Sequence, residues 1–220
     1  VTADKQQTYA DFGKKNVSSL SGEQVKAALL ESGLFAFFLQ RPYAVTANPT
    51  DAPKAVFVST FSDMPLAADF EVALKGNEAD FQTGVDALAK IAKVYLGVKP
   101  SASSALINAK NAEVTVFDGK CPAGNVGVQI NHLSPVNKGE VVWTLGAEEV
   151  IFIGRLFNTG KVDLTRTIAV AGSEIKAPAY TKVLVGQQIS SIVKGNVATD
   201  KKVRLIDGNP LTGLKVDENA

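Results

Sequence analysis

Along the first 160 residues, apolar positions switch repeatedly between a helical period and short continuous runs. Ser21 and Gln24 form a capping-box pair, and Val25, Ala28 and Leu29 follow as an apolar stripe, predicting a helix that stops at Gly33. Pro42, Pro49 and Pro53 predict an extended loop, and residues 54–61 (KAVFVSTF) a buried strand ending at Ser62, Asp63 and Pro65. Asn77 is placed to cap a helix whose core face is Phe81, Val85, Leu88 and Ala92. Residues 93–98 (KVYLGV) and 112–117 (AEVTVF) read as strands, separated by a Ser/Ala-rich stretch with room for a short helix. Residues 122–132 read as a helix with Pro122 near its first position, and 141–145 as a short strand. Residues 146–158 carry Val150, Ile151, Ile153, Leu156 and Phe157 and predict a strong helix. Strand–helix–strand repetition at these intervals predicts a parallel sheet covered by helices.

After Gly160 the texture changes. Residues 166–171 and 181–185 read as short strands around an Ala-Pro turn, 187–193 as a short helix ending at Gly195, and 202–206 as a strand before the turn-rich 207–213. Two strands, a helix and a further strand suit a small α+β domain of β-grasp type. The expected division is an α/β domain over 1–160 and the smaller domain over 161–220.

Composition narrows the chemistry. The 220 residues carry 23 Lys+Arg against 22 Asp+Glu, a formal charge of +1, which provides no global field to draw in nucleic acid. One Cys and one His leave Cys121 and His132 unable to build an iron–sulfur cluster or structural zinc site from those residue types. The longest apolar run, residues 34–39, falls far short of the roughly 18–20 residues that cross a bilayer. Residues 1–10 are polar, unlike a signal peptide, and the first residue is Val, so the chain is expected to be a piece of a longer protein.

Several runs then occur in a telling order: LSGEQV from Leu20, ESGL from Glu31, Arg41-Pro42-Tyr43, PLAAD from Pro65, Pro122-Ala123-Gly124, VWT from Val142, EVIFIGRLFNTG from Glu149, AVAG from Ala169 and DGNPLTG from Asp207. Together they resemble the NqrA family, which supplies one of the subunits of the sodium-translocating NADH:quinone oxidoreductases. The resemblance implies a Rossmann-like domain, related to the flavin-bearing subunit of complex I and the C subunit of Rnf complexes, followed by a soluble-ligand-binding β-grasp domain. It also implies an N-terminal barrel-like region before this segment and a further C-terminal region after it. The implied role is a peripheral, non-redox subunit on the cytoplasmic face of a bacterial inner membrane. There it would dock on membrane subunits and support NADH-to-quinone electron transfer coupled to sodium export. NADH, FAD, FMN and Fe–S centres would belong to other subunits, with no cofactor bound by this chain and ubiquinone or menaquinone as the one ligand left open.

The same resemblance focuses attention on the segment after ESGL. In the complex I flavin subunit the similar stretch continues into a glycine-rich loop whose bare backbone approaches the flavin phosphate. Here it continues FAFFLQRPY, with no glycine, and the side chains would block that approach. Phe35, Phe37, Phe38, Arg41 and Tyr43 are therefore candidate quinone contacts, the rings covering a flat ligand and Arg41 donating to a quinone carbonyl. The competing reading is plain core packing with Arg41 on the rim.

Other positions have bland readings beside sharper ones. Cys121 lies between a strand and an expected helix start, where a helix dipole would lower its thiol pKa. Family members often carry Gly-Pro-His-Pro-Ala-Gly where this chain reads GKCPAG from Gly119, which argues against catalysis there, and His132 is expected to be structural. The turn Asp207, Gly208, Asn209 and Pro210 is a candidate docking or ligand loop, although turn geometry also accounts for it. No residue is assigned a catalytic or metal-binding role. The alternatives to a role in the respiratory complex are a free flavin- or nucleotide-binding α/β enzyme and a pure scaffold module.

Overall fold

In the computed structural model, which describes residues 8–198 and 202–217, the Ser21 capping box closes. The Gln24 N–H donates to Ser21 Oγ at 3.2 Å, and the Ser21 N–H donates to Gln24 Oε1 at 2.9 Å. The helix it starts, α1 (Gly22–Glu31), buries Val25, Ala28 and Leu29 and gives way to Gly33 at φ 78. The predicted extended loop is shorter than expected. Leu39–Arg41 (β1) and Val45–Thr46 (β2) pair as an antiparallel hairpin, because the tertiary edge of a sheet is available to them.

That sheet is built from β3 (Val56–Ser59), β4 (Val94–Val98), β5 (Glu113–Val116) and β6 (Val142–Gly146), in the order β2-β1-β6-β3-β4-β5. The pairs β3–β4, β3–β6 and β4–β5 are parallel, and β1 joins β6 antiparallel. Continuous burial along β3 and β4 matches their unbroken apolar runs, as expected for a sheet covered on both faces. The fold is mixed α/β with a parallel-rich sheet.

The covering helices are α3 (Glu78–Ile91), the short α4 (Ser104–Ile107), α5 (Val126–Leu133) and α6 (Ala147–Thr159), with α2 (Phe70–Leu74) preceding α3. Ile130 of α5 packs on Ala55, Phe57, Tyr95 and Val142. Trp143, one residue along β6 and so on the opposite face, meets Phe35 and Phe38. The helices α3 and α6 lie against each other with backbones in near contact. A Cβ on Gly84 would strike the Val150 carbonyl, and one on Gly154 the Asp80 carbonyl.

Two local expectations need correction. Asn77 stands at the N-cap position of α3 but makes no capping bond; its Oδ1 accepts from Arg155 Nη2 at 2.9 Å instead. Pro122 does not open α5, because residues 121–124 form a turn tied to Asp63 by the Gly124 N–H, and Asn125 caps Gly127 at 2.8 Å. Asn offers an acceptor to the free N–H groups, which Pro lacks.

The chain divides into two compact units. One comprises Tyr9–Asp63 with Leu74–Asp163; the other comprises Met64–Ala73 with Thr8 and the described residues from Leu164 onward. The second unit contains the antiparallel pair β7 (Thr165–Val170) and β8 (Ala179–Leu184), then α7 (Ile189–Val193), then the antiparallel pair β9 (Leu205–Asp207) and β10 (Leu214–Val216). Within it the Tyr180 hydroxyl accepts from the Asp69 N–H at 3.0 Å, tying the 64–73 segment to β8. Among the described residues, its only buried apolar side chains are Phe70, Ala73 and Val183. No helix among the described residues is long and apolar enough to cross a membrane.

Candidate functional site

The segment after Gly33 forms a 3₁₀ turn, Leu34–Phe37, that uses its own N–H groups: Ala36 donates to Gly33 O at 3.2 Å, and Phe38 to Phe35 O at 3.1 Å. Buried Leu34 and Phe35 hold it down. Such a turn offers no open row of N–H groups to cradle a phosphate.

The five candidate quinone contacts are spread over three environments. Phe35 and Phe38 are buried and stack at 5.0 Å, both edge-on to Trp143 at 5.3 and 5.7 Å. Phe37 is half-buried and faces Phe152 of α6 at 6.0 Å. Arg41, at the end of β1, donates from Nε to Thr144 Oγ1 at 3.5 Å. Tyr43, at the tip of the β1–β2 hairpin, is 84% exposed. The first two rings form one cluster with Trp143, and Tyr43 stands apart from it. Gln40 ties Trp143 to the 48–51 turn: its Oε1 accepts from Trp143 Nε1 at 3.3 Å, and its Nε2 donates to Asp51 at 2.9 Å.

The strand order reverses between β3 and β6, and in open α/β sheets ligands bind outside the carboxyl ends of the strands at such a point. Here that end of the sheet holds a polar knot that the sequence reading missed. Gln129, buried on α5, donates to Ser59 Oγ at 3.0 Å and to Ala123 O at 3.2 Å, and Thr60 Oγ1 donates to Gly97 O at 3.0 Å. The available signal was an amide amid the apolar residues of α5. Glu148 and Glu149 occupy the first turn of α6 and place negative charge where a phosphate would otherwise approach.

Cys121 is exposed beside this knot. Partial desolvation, and then the charge and hydrogen bond of Asp63, push its thiol above the ordinary value of 9.0. The expected lowering by a helix dipole fails because the helix starts only at Val126. His132 is exposed; its Nδ1 lies 2.8 Å from the Val128 carbonyl one turn back, and its ring meets Phe117 edge-on at 6.4 Å. Among the described residues no group of three or more His, Cys, Asp or Glu could hold a metal ion.

The candidate loop in the second unit is the tip of the β9–β10 hairpin. Asn209 Oδ1 accepts from the N–H groups of Leu211 and Thr212 at 2.9 and 3.0 Å, and its Nδ2 donates to Thr212 Oγ1 at 2.7 Å. Gly208 sits at φ 101, and Gly213 leaves no room for a Cβ between Ile206 and the carbonyls of Asp207 and Asn209. These contacts account for the turn's conformation.

Residues 20–162 match the family model of the NqrA second alpha/beta domain, and residues 167–218 that of the NQRA C-terminal domain. The chain belongs to the NqrA family. It is 33% identical over 220 residues to the A-subunit of the Na(+)-translocating NADH-quinone reductase of Photorhabdus laumondii, covering 99% of this chain and 49% of that relative. With the protein of the same name from Shewanella amazonensis it shares 37% identity over 204 residues, covering 92% of this chain and 45% of the relative. The chain thus spans about half the length of the curated NqrA relatives it matches. A crystal structure of an NAD+-reducing [NiFe]-hydrogenase in the air-oxidized state aligns with a TM-score of 0.56 at 13% identity, over 80% of this chain and 39% of that one. That likeness extends to the fold alone.

Proposed function

We propose that this NqrA-family chain is part of the NqrA component of a sodium-translocating NADH:quinone reductase, acting as a peripheral, non-redox piece docked on the membrane subunits. The observation that carries this reading is the match of both NqrA domain models, in order, together with relatives named for that component along almost the whole chain. The closed 3₁₀ turn at Leu34–Phe37 and the acidic first turn of α6, both unfavourable to a phosphate, support assigning flavins and NADH to other subunits, and Fe–S centres go with them in this proposal. The cytoplasmic face of the inner membrane is part of the same proposal.

Quinone contact is the finer part of it. Exposed Tyr43 and half-buried Arg41 are the polar groups of the candidate segment that a ligand reaches first, while Phe35 and Phe38 support them from within. The test is photo-crosslinking of a quinone analogue to the intact reductase containing the full-length NqrA protein, followed by mapping of the label. Labels within residues 35–43 support the contact; labels confined to other subunits end it. Failure of the full-length protein to co-purify with sodium-dependent NADH-to-quinone activity would end the subunit reading. Tight FMN or NADH binding by the isolated protein would replace it with the free-enzyme reading.

A further inference from the structure

At the C-terminal turn of α6 the main chain of residues 12–15 is laid down by two hydrogen bonds. The Phe12 N–H donates to Gly160 O at 2.8 Å and the Lys15 N–H to Phe157 O at 3.1 Å, taking carbonyls that a helix end leaves open. Gly160, at φ 77, permits the approach, because a Cβ there would press on the main chain of Gly13 and Lys14. Asn16 fixes the next turn, its Oδ1 accepting from the Ser18 N–H at 3.0 Å and from Ser18 Oγ at 2.9 Å.

This path leaves a cleft of about 390 Å³ within the larger unit, lined by Lys14, Lys15 and Asn16, by Thr83 and Asp86 of α3, and by Asn158 of α6. Ligand pockets start at roughly 300 Å³, so a small molecule fits. Its polar walls are tied in place. Asn158 Nδ2 donates to Asp80 Oδ1 at 2.7 Å and to Thr83 Oγ1 at 3.2 Å, while Asp86 Oδ1 accepts from Gln82 Nε2 at 2.8 Å and Asn111 Nδ2 at 2.9 Å.

The charge in the cleft is mainly positive. Lys14 is exposed and Lys15 half-buried, and among the described residues neither has a carboxylate at ion-pair distance. A third ammonium, Lys90, is held beside the cleft by donating to Ser18 O at 3.1 Å. A helix C-terminus attracts cations, which is the bland account of Lys14 and Lys15. Here, however, the Phe157 and Gly160 carbonyls already accept main-chain N–H groups, so both ammonium groups stay free for a ligand. Lysine is a compact point charge on a flexible stem and suits tetrahedral phosphate, whereas the planar fork of arginine matches a carboxylate. Among the described residues no arginine lines the cleft. Asp86 keeps Oδ2 as an open acceptor, which repels a bare polyanion and welcomes a hydroxyl.

The geometry points to a binding site for a small phosphate monoester with a neighbouring hydroxyl, of the glycerol phosphate kind, its phosphate on Lys14 and Lys15 and its hydroxyl donating to Asp86. The site uses no residue of the candidate quinone segment and does not depend on the subunit reading.

The test is calorimetric titration of glycerol 3-phosphate, and separately of inorganic phosphate, into the full-length NqrA protein. Saturable binding of glycerol 3-phosphate is expected, tighter than inorganic phosphate and weakening as salt rises. Lys14→Gln with Lys15→Gln should weaken it by about tenfold or more, because charge-assisted hydrogen bonds are lost, with the ligand-free melting temperature unchanged. If that pair lowers the melting temperature, Lys14→Glu at the exposed position decides instead, with the same loss expected. Lys215→Gln in the smaller unit should change nothing, and Asp86→Asn should tighten inorganic phosphate and narrow the gap between the two ligands. No saturable binding, an affinity that the lysine variants leave in place, or no preference over inorganic phosphate overturns the site. A further arm sediments the protein with phosphatidylcholine vesicles carrying lysophosphatidic acid. Binding there that the lysine variants abolish identifies the monoester as a lipid headgroup, and solution binding without it identifies a free one.

Discussion

Gly154 of α6 lies directly against the main-chain carbonyl of Asp80 on α3. Only a hydrogen in place of a side chain permits that approach, and Gly84 makes the reciprocal fit against Val150. Gly154→Ala must push apart two helices that anchor the larger unit, so it should cost about 1–3 kcal/mol of stability. Urea denaturation measures this as a lower midpoint with an unchanged slope. An unchanged midpoint would mean that the helix pair has slack that its backbone contact belies.

Arg155, next along α6, holds the same crossing by polar contacts. Its guanidinium donates to Asn77 Oδ1 at 2.9 Å and to the Asp163 carbonyl at 3.3 Å, with the Asp80 and Asp163 carboxylates at 3.9 and 3.7 Å. The side chain is mostly buried, so its removal leaves these acceptors without their charged donor. Arg155→Ala should destabilise the chain by about 1.5–3 kcal/mol, and Arg155→Lys should recover only part, because a single ammonium cannot span the same acceptors. Equal stability of Arg155→Lys and wild type, by thermal unfolding, would contradict this.

These two residues also show what could be read in advance. The α6 stripe of Val150, Ile151, Ile153, Leu156 and Phe157 marked the helix because its period is local. Arg155 and Gly154 carried no local mark: their partners Asn77 and Asp80 lie far along the chain, and an N-cap position was the nearest explanation for Asn77. The β1–β2 hairpin was missed for the same reason, since its strand character comes from the open side of β6 rather than from propensity. At the candidate site, the aromatic run was visible but its sidedness was not. The three-residue period of a 3₁₀ turn put Phe35 and Phe38 on one buried side while the hairpin carried Tyr43 to the surface.

Cys121 gives a pH-dependent prediction. Only the thiolate reacts with an alkylating agent, and desolvation together with Asp63 shifts the Cys121 thiol above 9.0, so the reactive form is depleted at any pH below that value. Iodoacetamide labelling should rise with pH through a midpoint above 9.0. Asp63→Asn removes the negative charge and should move the midpoint down, speeding labelling near neutral pH. A midpoint below 9.0 in the wild type, or one that Asp63→Asn leaves in place, would refute the assignment.

Phe38 and Tyr43 separate packing from ligand contact within one segment. Phe38 is fully buried, stacked on Phe35 and edge-on to Trp143, so Phe38→Ala opens a cavity in the core and should cost about 3–5 kcal/mol. Any loss of quinone affinity in that variant would then follow the loss of folded protein. Tyr43 is 84% exposed at the hairpin tip, and Tyr43→Ala should change stability by no more than about 0.5 kcal/mol. If the segment meets quinone, Tyr43→Ala and Arg41→Ala should raise the KM for quinone in the intact reductase while the thermal midpoint of Tyr43→Ala stays that of the wild type. If KM is unmoved in both variants while Phe38→Ala unfolds early, the aromatic run is core alone and the quinone contact lies elsewhere.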